Sequence, residues 1–150
     1  MKFEEATIDD LDTIIALLAD DDLGREREDI SAQARPFYLK AFTAIDNDPN
    51  NMLVAIKKNN LVIGCLQLTF IPYLTHKGSM RCLIEGVRVH KDYRGQKIGQ
   101  AAFEWAIAYA QTKGCNMVQL TTDKARPAAI NFYKKLGFVA SHEGMKLHLK

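Results

Sequence analysis

Cysteine is scarce in this chain. There are 3, at positions 65, 82 and 115, and none stands in a CxxC pair. Such a set closes no disulfide framework, and with His142 and His148 it matches no zinc-ligand spacing, so no metal is expected. Charge of one sign is also scarce: 20 Lys+Arg against 18 Asp+Glu leave +2. That excludes nucleic-acid binding driven by bulk charge. No apolar run approaches the ~20 residues of a membrane span. The start, Met1-Lys2-Phe3-Glu4-Glu5, is too acidic and too poor in apolar residues for a signal peptide. A Walker A loop is missing, as are repeats, low-complexity tracts and Pro/Gly/Ser linkers. The expectation is a single domain over residues 1–150 in a reducing cytoplasm, with no membrane and no nucleic-acid partner.

What is present is an ordinary globular balance, with 47% hydrophobic and 25% charged residues. Lys2 to Ala6 reads as a short strand. Thr7-Ile8-Asp9-Asp10 then opens a helix whose apolar stripe is Leu11, Ile14, Ile15, Leu17 and Leu18. An acidic run, Asp20, Asp21, Asp22, Glu26, Glu28 and Asp29, precedes a second helix over about Ile30 to Ile45. Met52 to Ile56 and Leu61 to Ile71 form a hairpin, and Arg81 to Val89 a further strand. A helix runs from Ile98 to Gly114, buried on most sides, with Trp105 read as core. Asn116 to Thr122 is a buried strand, Pro127 to Leu136 a helix, and Phe138 to Lys150 closes the sheet with one or two strands. The order β-α-α-β-β-β-α-β-α-β(β) is an antiparallel meander followed by a βαβ crossover: a mixed-sheet α/β (α+β) fold.

The segment with chemical character is Val87-Arg88-Val89-His90-Lys91-Asp92-Tyr93-Arg94-Gly95-Gln96-Lys97-Ile98-Gly99-Gln100. It reads as a strand, a short basic loop and a helix start. First-turn N–H groups have no helical partner and can converge on one anion, and the glycines admit a close backbone approach. Arg94 and Lys97 add positive charge at that point. By itself RGxxxG is equally a tight turn with a solvated basic loop.

A second element follows one helix and one strand later: Ala128-Ala129-Ile130-Asn131-Phe132-Tyr133-Lys134-Lys135-Leu136-Gly137-Phe138. The pairing of RGxxxG with this run resembles the GNAT superfamily of acyl-CoA N-acyltransferases, including small bacterial members such as aminoalkylphosphonate acetyltransferases. The resemblance implies acetyl-CoA as co-substrate and a fourth strand, Ile84 to Val89, that splays from the fifth. Its backbone at Val87, Arg88 and Val89 would pair with the pantetheine arm. The pyrophosphate would sit on Arg94, Gly95, Gln96, Lys97, Ile98, Gly99 and Gln100. Tyr133 would lie near the thioester sulfur. Two positions depart from the family pattern. Lys97 replaces its middle glycine, which a non-glycine tolerates if φ is negative. Arg126 stands where an asparagine is common, and is carried as a cofactor-binding residue. A homodimer is common in such a family.

Acetyl transfer to an amine needs the amine deprotonated, the oxyanion held and the leaving thiolate protonated. The resemblance assigns Tyr133 as the acid; packed beside Phe132 it also suits a core. Glu85, on the strand beside the cofactor, is the candidate base if burial makes it one, and a structural or solvent-facing carboxylate otherwise. His76, in the preceding loop, and a water relay are the other routes. The acidic run either borders the acceptor or is a solvated loop. Cys115 reads as a small buried residue with no His partner, so no acyl-enzyme is expected. Three functions fit these residues: N-acetylation of a small primary amine, acetylation of a protein lysine or N-terminus, and non-catalytic acyl-CoA binding.

Overall fold

The computed structural model describes residues 1–149. They divide into two compact units, Met1–Gln119 and Leu120 onward, described separately below.

The first unit is built on one five-stranded sheet in the order β1-β2-β3-β4-β5. The strands are β1 (Lys2–Glu5), β2 (Asn51–Lys58), β3 (Leu61–Pro72), β4 (Met80–Val89) and β5 (Met117–Gln119). The first four pair antiparallel, and β5 joins β4 in parallel. The hairpin between β2 and β3 turns on Asn59 and Asn60, both at positive φ (51° and 64°). That is the type I′ geometry asparagine tolerates and tight hairpins favour.

On one face lie α1 (Leu11–Ala19) and α3 (Arg35–Asp46). The stripe expected on α1 is the one buried: Ile14 and Leu17 pack with Ala6, Ala55 and Cys65, and Leu11 and Ile15 with Phe42 of α3. Before α1, the Asp10 carboxylate accepts from the Thr7 amide at 2.9 Å, so the acidic helix start is a true cap. The second helix begins later than expected, at Arg35. Pro36 fits its first turn, and a single turn, α2 (Gly24–Arg27), precedes it.

The opposite face carries α5 (Ile98–Thr112), which buries Ile98, Ala102, Phe103, Ala106 and Ala110. Small residues at i, i+4 and i+8 let the helix lie close to the sheet. Trp105 stacks between Phe3 (5.3 Å) and Tyr109 (5.0 Å) and is half-buried rather than core. Between β3 and β4, the turn α4 (Thr75–Gly78) holds His76, Lys77 and Gly78 all at positive φ. No helix of the described residues is long and apolar enough to cross a membrane.

The second unit contains α6 (Pro127–Lys135), again with proline in its first turn. The closing strands expected over Phe138 to Lys150 are not among the five of the sheet, and residue 150 lies outside the described residues. A strand exists only through its ladder, and residues 138–149 have none within their own unit.

Two predictions follow from the packing. Lys57 bridges Glu4 (2.9 Å) and Asp10 (3.2 Å) beside β1. Hydrogen bonds that Lys57 donates to Glu4 and then to Asp10 push its pKa above the ordinary 10.5. A raised value means the contribution is full below 10.5 and is lost as pH rises through the folded-state value. The melting temperature should therefore fall on alkaline titration, and Lys57→Met should flatten that limb. Burial also pushes the thiols of Cys65 and Cys82 up to about 12 and raises that of Cys115. With a thiol-reactive aromatic disulfide at pH 8, only Cys115 should react in the native protein, and all three cysteines in urea. Rapid native labelling of Cys65 or Cys82 would contradict this core.

Candidate active site

β4 outlasts its parallel neighbour. The ladder to β5 covers Arg81–Met117, Cys82–Val118 and Leu83–Gln119 and then stops, while β4 continues through Val89. In an antiparallel pair every second residue turns its N–H and C=O away from the partner strand. Beyond Leu83 those groups of β4 have no β5 partner in this unit. The ladder to β3 also changes here: Gln67 faces Glu85, but Cys65 faces Arg88. Gly86 and Val87 therefore oppose Leu66 alone, a bulge with Gly86 at φ +63°. Sequence reasoning missed Gly86; its signal was a glycine inside a strand run.

After β4 the chain makes one 3-10 turn, Lys91–Tyr93, and enters α5. Gly95 (φ +78°) and Lys97 (φ +60°) are both left-handed. The condition for an unstrained non-glycine at Lys97, a negative φ, is thus not met: the residue occupies a conformation that costs a non-glycine about 1–2 kcal/mol. Ala101 is the first amide to bond back, to the Lys97 carbonyl at 3.1 Å. The amides of Gly95 to Gln100 have no backbone acceptor among the described residues. A Cβ built on Gly99 meets nothing within 4 Å, so the space in front of this turn is open. Gly95, Gln96, Lys97 and Gln100 are exposed, Gly99 is half-buried and only Ile98 is buried. An open row of unpaired donors at the positive end of a helix fits a polyanion such as a diphosphate.

The two arginines here differ. Arg94 is exposed and donates Nε to the Val89 carbonyl (3.2 Å) and Nη2 to that of Asp20 (3.3 Å), leaving other N–H groups for a ligand. Arg88 is turned inward. Its Nη1 donates to the Val87 carbonyl (2.9 Å), Nη2 lies 3.6 Å from Asp21 Oδ2, and Nε is buried without a partner. Any cofactor contact at Arg88 is therefore through its main chain. Asp21 also accepts from the Gly24 amide (3.1 Å), so this part of the acidic run is a packed anchor, not a solvated loop.

Glu85 is exposed, which removes the burial on which its activation as a base was premised. It stands opposite Gln67, beside a small polar group that sequence reasoning also missed. Asn51 Oδ1 accepts from Thr69 Oγ1 (2.7 Å) and Gln67 Nε2 (3.3 Å). The legible signal was polar residues at alternate positions of otherwise apolar strands. His76 is exposed, in the left-handed turn, with its ring edge-on to Tyr73 at 5.7 Å. Cys115 is half-buried rather than core. No metal-ligating cluster occurs among the described residues.

The structure thus brings Glu85 to Gln100 together on one strand–turn–helix. Arg126 and Tyr133 belong to the second unit. Arg126 caps α6, its amide bonded to the Asp123 carbonyl at 2.9 Å. Tyr133 lies in the last turn of α6, edge-on to Phe132 (5.5 Å) and Phe138 (6.1 Å).

Comparison with known proteins agrees with this architecture. An aminoalkylphosphonate N-acetyltransferase of Salmonella typhimurium is 29% identical over 141 residues, covering 94% of this chain and 86% of that one. A crystal structure from Bacillus halodurans C-125, described as a transcriptional regulator, is 49% identical with a TM-score of 0.95 and covers 99% of each chain. A Clostridium acetobutylicum structure described as a predicted acetyltransferase with acetyl-CoA is 19% identical, covers 98% of this chain and 95% of that one, and shares the fold at a TM-score of 0.74. The profile of the acetyltransferase (GNAT) family matches residues 14–138. With that match spanning the strand–turn–helix and α6, the chain belongs to the GNAT acetyltransferase family.

Proposed function

We propose that the protein moves an acetyl group from acetyl-CoA directly to the primary amine of a small molecule. The observation that carries this is the open row of amides from Gly95 to Gln100, set at the end of a strand that outlasts its neighbour. The row and the outward-facing backbone of Val87 to Val89 would hold the cofactor, with Arg94 and Lys97 neutralising its phosphates. Bound there, acetyl-CoA supplies an acetyl group already activated as a thioester. We read both units as one catalytic domain, because the family match runs across their boundary. Three free cysteines suit a reducing cytoplasm. A small acceptor is favoured over a protein one. The aminoalkylphosphonate enzyme matches 94% of the chain, whereas yeast N-alpha-acetyltransferase 30 matches 60%.

In this reading Glu85 Oε takes a proton from the incoming ammonium, directly or through one water. Its exposure leaves it open to an incoming amine and to water. A backbone N–H between Val87 and Val89 holds the carbonyl oxygen, and the Tyr133 hydroxyl gives a proton to the departing sulfur. No cysteine takes part: Cys65 and Cys82 are buried, with thiols held at about 12.

The decisive measurement is a mass-spectrometric screen of acetyl-CoA with aminophosphonates, polyamines, amino acids, aminoglycosides and a lysine peptide. A product confined to small amines supports the proposal. Acetylation of the peptide alone, or no product with any amine, overturns it. On the productive substrate, Arg94→Ala should raise the acetyl-CoA KM by about 10- to 150-fold, the value of a charge-assisted hydrogen bond. Lys97→Gly releases about 1 kcal/mol of backbone strain and returns a similar amount as chain entropy. Thermal stability should therefore change little while the acetyl-CoA KM rises; an unmoved KM would give Lys97 a purely architectural role. Tyr133→Phe should lower kcat by roughly 10²–10⁴ with little effect on the acetyl-CoA KM. Glu85→Gln should lower kcat with little effect on the acetyl-CoA KM. Wild-type turnover in both variants would refute these assignments.

A further inference from the structure

The sheet face opposite α5 is apolar where α1 covers it, at Ala55 and Cys65. Farther along it is mixed, with Leu53, Ile71 and Leu83 among polar residues. Alternation places Gln67, Thr69 and Tyr73 of the β3 end on this face, and with them Glu85 and Arg81 of β4, since Gln67 faces Glu85 and Ile71 faces Arg81. At the far end the Arg81 guanidinium carbon lies 5.0 Å from the centroid of the Tyr73 ring. Arg81 Nε and the Tyr73 hydroxyl are both buried, and neither has a hydrogen-bond partner. No carboxylate pairs with Arg81 among the described residues.

That combination is unusual. A half-buried arginine normally has a counter-ion, and buried donors are almost always satisfied. Here two buried donors, one on β4 and one just past the end of β3, have nothing among the described residues to accept from them. The guanidinium already lies over the tyrosine ring, which limits the side-chain freedom left to be lost on binding. A carboxylate, phosphonate or phosphate would satisfy both donors, because a planar guanidinium matches the fork of such oxyanions. The neighbouring His76 adds no negative charge to repel one.

Resting on the transfer reading above, we infer that the acceptor is an acidic amine, its anionic group held by Arg81 and Tyr73 and its amine presented at Glu85. Arg81 and Glu85 are four residues apart on one strand, roughly 13 Å at ~3.3 Å per residue. The amine and the acid therefore stand at opposite ends of the molecule, several bonds apart. Gln67 and Thr69, between them on β3, offer hydrogen bonds to its middle. The cation at one end and the carboxylate at the other also set the direction in which the acceptor lies. A reversed molecule would place its acid against Glu85.

The test uses three sets of matched acceptors of stepped length: ω-aminoalkyl carboxylates, ω-aminoalkylphosphonates and plain alkylamines. In the wild type, kcat/KM for the acidic sets should exceed that for the alkylamines by about 10- to 100-fold, and the better acidic set identifies the anion. Arg81→Met should bring the ratio close to one, Arg81→Lys should keep part of it and cover any loss of folding, and Tyr73→Phe should reduce it. Calorimetry with the acidic acceptors alone gives a readout free of turnover, and Arg81→Met should weaken binding by at least tenfold. Equal use of acidic and plain amines by the wild type, or a preference that survives Arg81→Met, overturns the inference while leaving acetyl transfer intact. Arg81-dependent binding of the acids without acetylation of any amine does the reverse.

Discussion

One constraint organises the molecule: β4 must satisfy β3 along its length but β5 along only its first part. The pairing with β5 ends at Leu83–Gln119, and Ile84 to Val89 is left with one partner strand. A half-paired strand is a liability unless something occupies the open side. Two local features prevent β4 from behaving as a simple edge. The bulge at Gly86 interrupts the regular ladder, and the strand runs straight into a turn whose donors are also unpaired. Both sets of unmet hydrogen bonds lie within sixteen residues of chain, counted from Glu85 to Gln100. The fold has concentrated them where a long ligand with an acceptor-rich head can meet them together.

Electrostatics keeps that segment in place. The inner acidic residue, Asp21, receives Arg88 and the Gly24 amide, and Arg94 reaches the neighbouring Asp20 carbonyl. The side chains of Arg88 and Asp21 are only 16% and 13% exposed. Such a pair adds little net stability once desolvation is counted, yet breaking it strands a buried charge. Its value is geometric: it ties the end of α1 to the bulged part of β4. The outer pair, Arg25 with Asp22, is exposed and is worth far less.

Much of this was legible in the sequence, because it follows from short-range periodicity. The α1 stripe, the Asn59–Asn60 hairpin, β4 and α5 each carry their own pattern over adjacent residues, and each formed within a few positions of where it was read. The strand–turn–helix cradle was equally local. What could not be read depends on register or on φ. Asn51, Gln67, Thr69 and Glu85 become neighbours only once β2, β3 and β4 are aligned. The burial expected of Glu85 failed because a strand pattern does not say which part of a face a helix will cover. The inward turn of Arg88 required Asp21, which comes from the far end of α1. The closing strands over 138–150 rested on composition alone, and a ladder cannot be inferred without its partner.

Lys97 shows how these levels combine. Helix propensity and turn chemistry both favour glycine at a left-handed cap, yet the chain holds lysine there at φ +60°. No hydrogen bond from its side chain caps α5, so the strain is not repaid within the cap. The residue is exposed, within the run of unpaired amides. A left-handed residue directs its side chain differently from a helical one, and that direction is what the strain secures. With every cysteine free and the two buried ones held protonated, the protein has no thiol nucleophile to share the work. Rate acceleration must then come from positioning and from fixed donors. A strained cation beside a row of fixed amides suits the proposed mechanism. Its cost is about 1–2 kcal/mol of folding stability, a small charge against the effective concentration that a correctly held ligand provides.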